Sequence, residues 1–301
     1  MKNLEDVLKM IYERSPIQKK RIENLLLKMD RCFFQEADRF VMDYAGYLAS
    51  QGLPLEFAVE AYLGFCSDTM QCQIDFAKTG KYAKASPADI FENVYNNDKK
   101  MKSYMVGLAI SQFLWESHYR IYNFFAEYMK VHGAQVGSYL EVGPGHGLFL
   151  DKALGYLGPS ARIDVVDISP ASINITRSMV DYFRPSRKVE YHTADIFKFT
   201  PEKSWDFITA GEVLEHVHFP KDLLARLRML LGREGSIFLS TCVNAPEIDH
   251  VYQFETVQQI RDMVTACGFA IKSELVLPVK DFPMEEIEKK KVAVNYCAIL
   301  K

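Results

Sequence analysis

An acidic residue and three glycines near the middle of the chain could together bind a ligand. Glu141 lies at the end of the apolar run SYLEV, and Gly143, Gly145 and Gly147 follow at alternate positions. Glycines at a strand-to-helix turn let the backbone adopt positive φ and approach a ligand closely, and a helix that begins near Gly147 directs free N–H groups toward it. The spacing GxGxG differs from the dinucleotide fingerprint GxGxxG. Because a carboxylate at Glu141 disfavours a pyrophosphate, the turn predicts a ligand that carries positive charge.

Two further acids follow later apolar runs. Asp167 ends the run RIDVVD, twenty residues after Gly147, and Asp195 follows the run KVEYH. A carboxylate at the end of the second strand can accept hydrogen bonds from both hydroxyls of a ribose, each worth about 1.5–3 kcal/mol. Asp195 could accept from a base amino group, with Ile196 offering its backbone N–H and Ile168 packing on a purine face. A helix cap or a solvated acid is the structural alternative for each aspartate.

The segment GEVLEHVHFP contains the candidates for proton transfer. Glu215 and His216 are adjacent, His218 follows, and a neutral imidazole titrates near physiological pH. His216 is therefore the predicted general base, with Glu215 beside it, and support of the loop is the structural alternative. The pattern EHxH also suggests a metal site, but it stands on a short turn without further matching ligands, so no metal is predicted.

The elements that must position these residues change character near residue 138. Residues 1 to about 135 have the apolar periodicity of helices throughout. One helix covers the stretch from Asp30 to Ser50, a second ends at Gly80, a helix start is expected at residues 86–89, and a further helix runs from Ser103 to about Gly133. The first part of the chain is therefore predicted to be all α.

From Ser138 onward, β-rich runs alternate with helical stretches. The runs are SYLEV, RIDVVD, KVEYH, WDFITA, SIFLST, AIKSELVLPV and VAVNYCAIL. Strands that alternate with helices predict a parallel sheet with right-handed crossovers. Only the short charged segment PMEEIEKKK separates the last two runs, so these are expected to pair antiparallel at one edge of an α/β sheet.

Composition and charge argue against nucleic-acid binding, membrane-spanning and secreted proteins. The chain has 301 residues, a formal net charge of -3, 49% hydrophobic residues and 25% charged residues, which is typical of a globular protein. It has no basic stripe for nucleic acid, no apolar run long enough for a membrane span, and no apolar segment of a secretory signal at its start. Six scattered cysteines without a CxxC pair predict buried, reduced thiols in a cytoplasmic protein.

The stretches LEVGPGHG, VVDIS, ADIF, WDFITAGEVLEHV and GSIFLST, in this order and spacing, resemble the catalytic domain of class I (Rossmann-like) methyltransferases that depend on S-adenosylmethionine. The resemblance is strongest to the ubiquinone-biosynthesis and small-molecule methyltransferases and covers residues 138–301. It implies a seven-stranded sheet with a reversed C-terminal β-hairpin. The implied division is a helical cap or dimerisation domain, residues 1–110, and a methyltransferase domain, residues 111–301.

The resemblance also implies a role for each strand end. Glu141 and the Gly143–Gly147 loop would hold the methionine moiety. Asp167 would bind the ribose, and Asp195 with Ile196 would bind the adenine. Gly211 and Glu212, at the end of the fourth strand, would pass beneath the sulfonium. The cofactor product would be S-adenosylhomocysteine.

Contacts to the methyl acceptor are expected from the loops after the fourth and fifth strands and from the helical region. Asn244, His250 and Tyr252 are the polar candidates from the loop after the fifth strand. The helical segment SQFLWESHYRIYNFF offers Ser111 and Gln112 and four residues that are three or four apart and share one helix face: Trp115, His118, Tyr119 and Tyr122. An aromatic stripe is more often helix core than pocket wall, but this mixture of side chains is more amphipathic than a core requires.

The predicted function is methyl transfer to a small-molecule acceptor in a biosynthetic pathway, with oxygen as the methylated atom. Nitrogen or carbon acceptors, including acceptors tethered to a carrier protein, are the alternatives within this class. A catalytically silent S-adenosylmethionine-binding module and a nicotinamide-dependent oxidoreductase are the alternatives of other classes, and the GxGxG spacing and Glu141 oppose the second. No nucleic acid or membrane partner is predicted, and the helical region could form a homodimer.

Overall fold

The structure is a computed structural model that describes residues 2–82 and 97–301. The helix start predicted at residues 86–89 lies outside the described residues. The helical region comprises α1 (Leu4–Arg14), α2 (Pro16–Leu26), α3 (Arg31–Ser50), α4 (Leu55–Thr79), α5 (Asp98–Ser111) and α6 (Glu116–His132). Side-chain caps fix where four of these helices begin, because Asn3, Ser15, Asp30 and Asn97 each accept a hydrogen bond from the backbone N–H three residues further on.

The single helix predicted from Ser103 to Gly133 is wrong, because residues 112–115 divide it into α5 and α6. Trp115 has an extended backbone, with φ -122° and ψ 126°. Its indole ring packs on Phe65 at a centroid distance of 5.1 Å and donates a hydrogen bond to the Tyr62 hydroxyl at 3.2 Å. These tertiary contacts override the local helix propensity. The apolar periodicity continues on both sides of the bend, so it predicts one uninterrupted helix.

The second half of the chain folds as one seven-stranded sheet flanked by helices. Its strands are β1 (Ser138–Val142), β2 (Arg162–Asp167), β3 (Glu190–Thr193), β4 (Trp205–Gly211), β5 (Leu231–Val243), β6 (Ile271–Pro278) and β7 (Val294–Leu300). The helices are α7 (Leu148–Leu154), α8 (Pro170–Phe183), α9 (Pro220–Leu230), α10 (Val257–Ala266) and α11 (Met284–Lys289).

The strand order is β3-β2-β1-β4-β5-β7-β6. The first five strands pair in parallel, and β7 pairs antiparallel with both β5 and β6. The predicted fold class, a Rossmann-like methyltransferase sheet with a reversed C-terminal hairpin and a helical N-terminal region, is confirmed. The carboxyl ends of β1, β2, β4 and β5 consequently meet at one edge of the sheet.

Helix α6 packs in two apolar cores at once. Its residues Ile121, Phe125 and Met129 belong to the core on one face of the sheet. Tyr119 and Tyr122, on another side of the same helix, belong to the core of the helical region, which also contains residues of α7 and α8. The helical region therefore shares its core with the sheet half, and the predicted division at residues 110 and 111 stays a prediction. None of the helices within residues 2–82 and 97–301 combines the length and the apolar character needed to cross a membrane.

Gly107→Ala should destabilise the protein, because a Cβ there would lie 2.5 Å from the backbone oxygen of Ala61 on the facing helix. Overpacking of this kind costs about 1–3 kcal/mol. Gly64→Ala is the matched control on α4, since a Cβ at Gly64 has nothing within 4 Å and should stabilise the helix by about 0.5–1 kcal/mol. Urea denaturation measures both shifts. A Gly107→Ala variant as stable as the wild type would contradict the close packing of α4 on α5.

Candidate active site

One cavity of about 880 Å³ lies at the carboxyl ends of β1, β2, β4 and β5, where α/β sheets usually bind their ligands. Helices α4, α5 and α6 form its opposite wall. The predicted site residues that line it are Glu141, Gly143, Gly145, Asp167, Ile168, Asp195, Ile196, Gly211, Glu212, His216, Trp115, His118 and His250. Those outside its lining are Gly147, Glu215, Tyr119, Tyr122 and Asn244.

The turn between β1 and α7 has a backbone conformation that only glycine adopts freely. The φ angles are +65° at Gly143, +55° at Gly145 and +77° at Gly147. A Cβ at Gly145 would lie 3.3 Å from the Met105 sulfur, and one at Gly147 would lie 2.7 Å from the terminal methyl of Met179. Conformation and packing therefore both require glycine here, and α5 closes over the turn.

Glu141 is buried at the end of β1, with 2% of its surface exposed. Burial raises the pKa of Glu141 to about 8, against the lowering effect of a hydrogen bond that its carboxylate accepts from the Tyr139 hydroxyl. The causes of this shift include no cation among the described residues. A positively charged ligand would supply the missing opposite charge and favour the ionised carboxylate.

Asp167, at the end of β2, also supports the capping of the helix that follows, whose N-cap residue is Ser169. Its Oδ1 accepts from the Ser169 backbone N–H at 2.8 Å, and its Oδ2 accepts from the Ser172 hydroxyl at 2.6 Å. Burial raises the pKa of Asp167, while these hydrogen bonds and the charge of His216 lower it. Each carboxylate oxygen has a further lone pair, so the capping role and a contact to a ribose are compatible.

Asp195 and its neighbours lie at the mouth of the cavity, after β3. The Asp195 Oδ1 accepts from the Phe197 backbone N–H at 3.0 Å. The carbonyl of Ile196 accepts from the Arg226 guanidinium at 3.1 Å, which fixes the loop. Ile168 on the facing loop is 48% exposed. An apolar side chain and a carboxylate on opposite sides of an opening suit a flat, polar-edged ring such as adenine.

Glu212 has an unusual backbone conformation at the end of β4. Its φ is +52°, and its N–H donates to the Ser240 carbonyl at 3.0 Å. A non-glycine residue in this region stores about 1–3 kcal/mol of strain, which is typical of functional sites. The charge of Glu212 is one of the causes that raise the pKa of the buried Glu215, so the two carboxyl groups lie close together.

His216 lies in a short 3-10 turn after β4 and is held by the loop after β5. Its Nδ1 is 3.1 Å from the Asp249 carbonyl oxygen and 3.4 Å from Asp249 Oδ2. His250 packs edge-on against it at a centroid distance of 4.8 Å, and the His250 Nδ1 is 2.7 Å from the Ala245 carbonyl oxygen. Because carbonyl oxygens only accept, both Nδ1 atoms carry protons. Burial lowers the pKa of His250 to about 4, so its ring is neutral and its Nε2 is an acceptor.

Glu215 lies behind the cavity wall. Its Oε2 accepts from the Thr241 hydroxyl at 2.7 Å, and its carbonyl oxygen accepts from the N–H groups of Val251 and Tyr252. Burial, and then the neighbouring Glu212, raise the pKa of Glu215 well above its usual range. These contacts are those of loop support, the structural alternative for this residue.

Side chains around His250 also have the geometry of metal ligands. The ligand atoms of His216, Asp249 and His250 lie within 4.8 Å of one another, as do those of Glu215, Cys242 and His250. The EHxH segment has no further ligand nearby in sequence, but the fold brings ligands from the loop after β5. Hydrogen bonds to carbonyl oxygens already engage the Nδ1 atoms of both histidines. The expectation of no metal site stays a prediction.

Trp115 and His118 form the part of the wall that α6 contributes. The His118 Nδ1 is 2.7 Å from the Ser111 hydroxyl, which itself donates to the Leu108 carbonyl at 2.6 Å. The hydroxyl therefore accepts from His118, and the His118 Nε2 is an acceptor. Burial lowers the pKa of His118 to about 3, and Trp115 packs on its ring at 4.8 Å.

Three predicted substrate residues point elsewhere. Tyr119 packs edge-on against Phe33 at 4.8 Å, and Tyr122 packs edge-on against Phe149 at 5.4 Å, both in the core of the helical region. Asn244 is buried with φ +49°, and its amide donates to a backbone carbonyl. These residues shape the cavity only through the elements they support.

Sequence reasoning did not identify a contact that joins the α5–α6 bend to the glycine turn. The His146 Nδ1 accepts from the Leu148 backbone N–H at 3.1 Å, so its Nε2 carries the proton, and this atom lies 3.4 Å from Nε2 of the Gln112 amide. Two N–H donors cannot bond, so a hydrogen bond here requires the amide orientation in which the Gln112 Oε1 faces His146. Only the position of His146 inside GPGHG could have drawn attention to it. Gln112 was a candidate for contacts to the acceptor and lines the cavity, but its contact with His146 could not be predicted because it exists only in the folded chain.

The charges around the cavity decide which cofactor fits. Arg21 is the only lysine or arginine among the described lining residues, and its guanidinium lies over the Trp115 ring at 4.7 Å. A pyrophosphate would lack counter-charges, whereas an ammonium and a sulfonium would face Glu141 and Glu212. The donor set therefore fits S-adenosylmethionine and opposes a dinucleotide.

Comparison with known proteins agrees with this geometry. A family model described as a methyltransferase domain matches residues 116–274, more than half of the chain. The ubiquinone biosynthesis O-methyltransferase of Xanthomonas campestris pv. campestris (strain B100) is 31% identical over 126 residues, which cover 41% of this chain and 49% of that protein. That of Nitrosococcus oceani is 30% identical over 124 residues, covering 40% and 50%. The chain thus spans about half the length of the curated relatives it matches.

A solved structure extends the likeness in fold. The mitomycin 7-O-methyltransferase structure matches with a TM-score of 0.56 at 10% identity, covering 81% of this chain and 71% of that chain. At this identity the match concerns the fold alone.

Glu141→Gln should stabilise the ligand-free protein, and more so at high pH. The folded-state pKa of Glu141 is raised from 4.5 to about 8, so the folded state binds more protons than the unfolded state between these values, and stability falls as pH rises through them. Glutamine avoids this loss, which is on the order of 2–4 kcal/mol. Thermal unfolding from about pH 5 to about pH 8.5 measures the difference. The exposed Glu234→Gln is the control, and a pH-independent difference for Glu141→Gln would contradict the shift.

Proposed function

This chain belongs to the family of methyltransferase domains, and we propose that it transfers a methyl group from S-adenosylmethionine to a hydroxyl group of a small-molecule acceptor. The resemblance inferred from the sequence motifs is confirmed, as is S-adenosylmethionine as the cofactor. One observation carries the proposal: a single cavity combines the strand-end acids and the glycine turn with the imidazole of His216 and an apolar wall. Oxygen is favoured because the curated relatives are O-methyltransferases.

The cofactor would lie along the carboxyl edge of the sheet. When bound, it supplies a methyl group that is activated by a sulfonium. Glu141 and the glycine turn would hold its methionine moiety, Asp167 its ribose, and Asp195 with Ile168 its adenine. Glu141 and Glu212 would give the positive charges a desolvated, negative environment, in which electrostatic interactions are stronger than in water.

The acceptor would occupy the remaining space, which we call the acceptor chamber. Its lining includes Phe65, Thr69, Met105, Trp115, His118, His216, Glu247 and His250. Its apolar part excludes water and holds a flat or aliphatic skeleton. Alignment of two reactants in this way can supply up to about 7–11 kcal/mol of the barrier. The predicted homodimer and the acceptor's place in a pathway stay predictions.

His216 is the proposed general base, and Asp249 is its positioning residue. The acceptor hydroxyl proton would pass to the His216 Nε2 as the oxygen gains the methyl group. The His216 Nδ1–H, held by Asp249, keeps the receiving atom directed away from the loop, and the Asp249 carboxylate stabilises the imidazolium that forms. A positioned base of this kind contributes about 10²–10⁴-fold to the rate.

Cofactor binding is tested by calorimetry with S-adenosylmethionine, S-adenosylhomocysteine and NAD. Asp167→Ala should weaken binding of both adenosyl ligands by roughly 10–100-fold, because one charge-assisted hydrogen bond is worth about 1.5–3 kcal/mol. Glu141→Gln should weaken the cation S-adenosylmethionine more than S-adenosylhomocysteine, which lacks the sulfonium charge. Glu234→Gln is the control. Binding of NAD in place of the adenosyl ligands would overturn the proposed function.

The base is tested with labelled S-adenosylmethionine and a phenol that the wild-type protein methylates. His216→Ala should lower kcat by about 10²–10⁴-fold without changing cofactor affinity. Asp249→Asn should lower kcat less and move the acidic limb of the pH–rate profile to lower pH, since the imidazolium loses its carboxylate. Turnover of His216→Ala equal to wild type at every pH would remove His216 from this role.

A further inference from the structure

Glu247 is a charged residue of the cavity that the proposed mechanism does not use. It lies on the loop after β5 and lines the cavity opposite α4. Its Oε2 atom is buried and has no hydrogen-bond partner among the residues that the structure describes. A buried carboxyl oxygen without a partner costs free energy, so its position in a ligand cavity points to a donor that the ligand brings.

The described charges that shift the pKa of Glu247 are of its own sign. Burial raises the pKa of Glu247 to about 8, and the charges of Asp249 and Asp68 raise it further. Arg21, the one described lysine or arginine of the cavity lining, is stacked on Trp115. The local potential therefore favours a cation, and the described residues place none beside Glu247.

The rest of the chamber wall also offers acceptors. His118, His216 and His250 carry their protons on Nδ1, toward the protein, and the neutral rings of His118 and His250 offer Nε2 as an acceptor. On α4, Phe65 and Thr69 lie one turn apart on the face that lines the cavity. An apolar ring surface thus adjoins the free carboxyl oxygen.

We propose that the acceptor chamber has an ammonium subsite, in which Glu247 is the counter-ion of a protonated aliphatic amine carried by the methyl acceptor. This rests on the proposed function and specifies its substrate class: an acceptor with a hydroxyl group for methylation and a basic nitrogen for recognition. The protonated nitrogen has no free electron pair, so it is bound and not methylated. A metal ion suits the subsite less, because Glu247 belongs to none of the groups of clustered ligand atoms found among the described residues.

The subsite is tested by binding matched amines and alcohols to the protein with and without S-adenosylhomocysteine. The pairs are benzylamine with benzyl alcohol, 2-phenylethylamine with 2-phenylethanol, and 4-phenylbutylamine with 4-phenylbutanol. Calorimetry should show at least one amine that binds about tenfold or more tightly than its alcohol. Glu247→Gln should abolish this preference and leave the alcohol affinity unchanged, and Glu247→Asp should reduce it. Glu56→Gln, an exposed acid on α4, is the control and should keep it.

The following results would contradict the proposed ammonium subsite. If none of the amines binds more tightly than its matched alcohol, the chamber has no ammonium subsite. If Glu247→Gln still prefers the amine, Glu247 is not the counter-ion. Titration with Mn²⁺ alone is a separate arm, and thermal stabilisation by Mn²⁺ that Glu247→Gln abolishes would replace the ammonium by a metal. Failure of S-adenosylhomocysteine to bind would contradict the proposed function, while the amine comparison still reports on Glu247.

Discussion

Desolvated carboxyl groups at the carboxyl edge of the sheet determine the chemistry of this protein. Glu141 is buried with a raised pKa and without a cation among the causes of that shift, and desolvation also raises the pKa of the half-buried Asp167 at the end of the neighbouring strand. Burial of such groups opposes folding, because the ionised form loses its hydration. This unfavourable free energy has a functional consequence, because the same desolvation strengthens the attraction of the carboxylates to a sulfonium and an ammonium. The fold therefore keeps these carboxyl groups desolvated at the expense of stability, and a cationic nucleoside would supply the opposite charge.

The tautomers of the histidines determine where the site presents hydrogen-bond donors and acceptors. In each of His118, His216 and His250, an oxygen of the protein accepts the Nδ1 proton, and burial keeps the first and the last neutral. His146 has the opposite tautomer, because its Nδ1 accepts from a backbone N–H. Fixed tautomers mean that the chamber presents acceptors and few donors. Recognition would then depend on the donors that a ligand carries, and this is the link between the base at His216 and the carboxyl group of Glu247.

The local parts of the site were predictable, and the parts made by distant contacts were not. The glycine turn and the acids at strand ends are visible in sequence because backbone conformation and strand position fix them. The bend before Trp115 was not visible, because tertiary packing breaks a helix whose periodicity continues. Trp115 and His118 line the cavity while Tyr119 and Tyr122 do not, since α6 serves two cores and periodicity cannot tell which side meets a ligand. Asp249 was missed because its loop approaches His216 only in the folded chain.

The position of α6 explains why the helical region and the catalytic edge form one functional unit. One side of α6 packs on the sheet and another packs in the helical core, so the chamber wall at His118 moves with the sheet that carries the cofactor residues. The contact between Gln112 and His146 joins the α5–α6 bend to the glycine turn, and Met105 on α5 packs over Gly145. A change in the helical core therefore alters the spacing between acceptor and cofactor. Because methyl transfer depends on alignment of the two reactants, the geometry of the helical region is itself a determinant of rate.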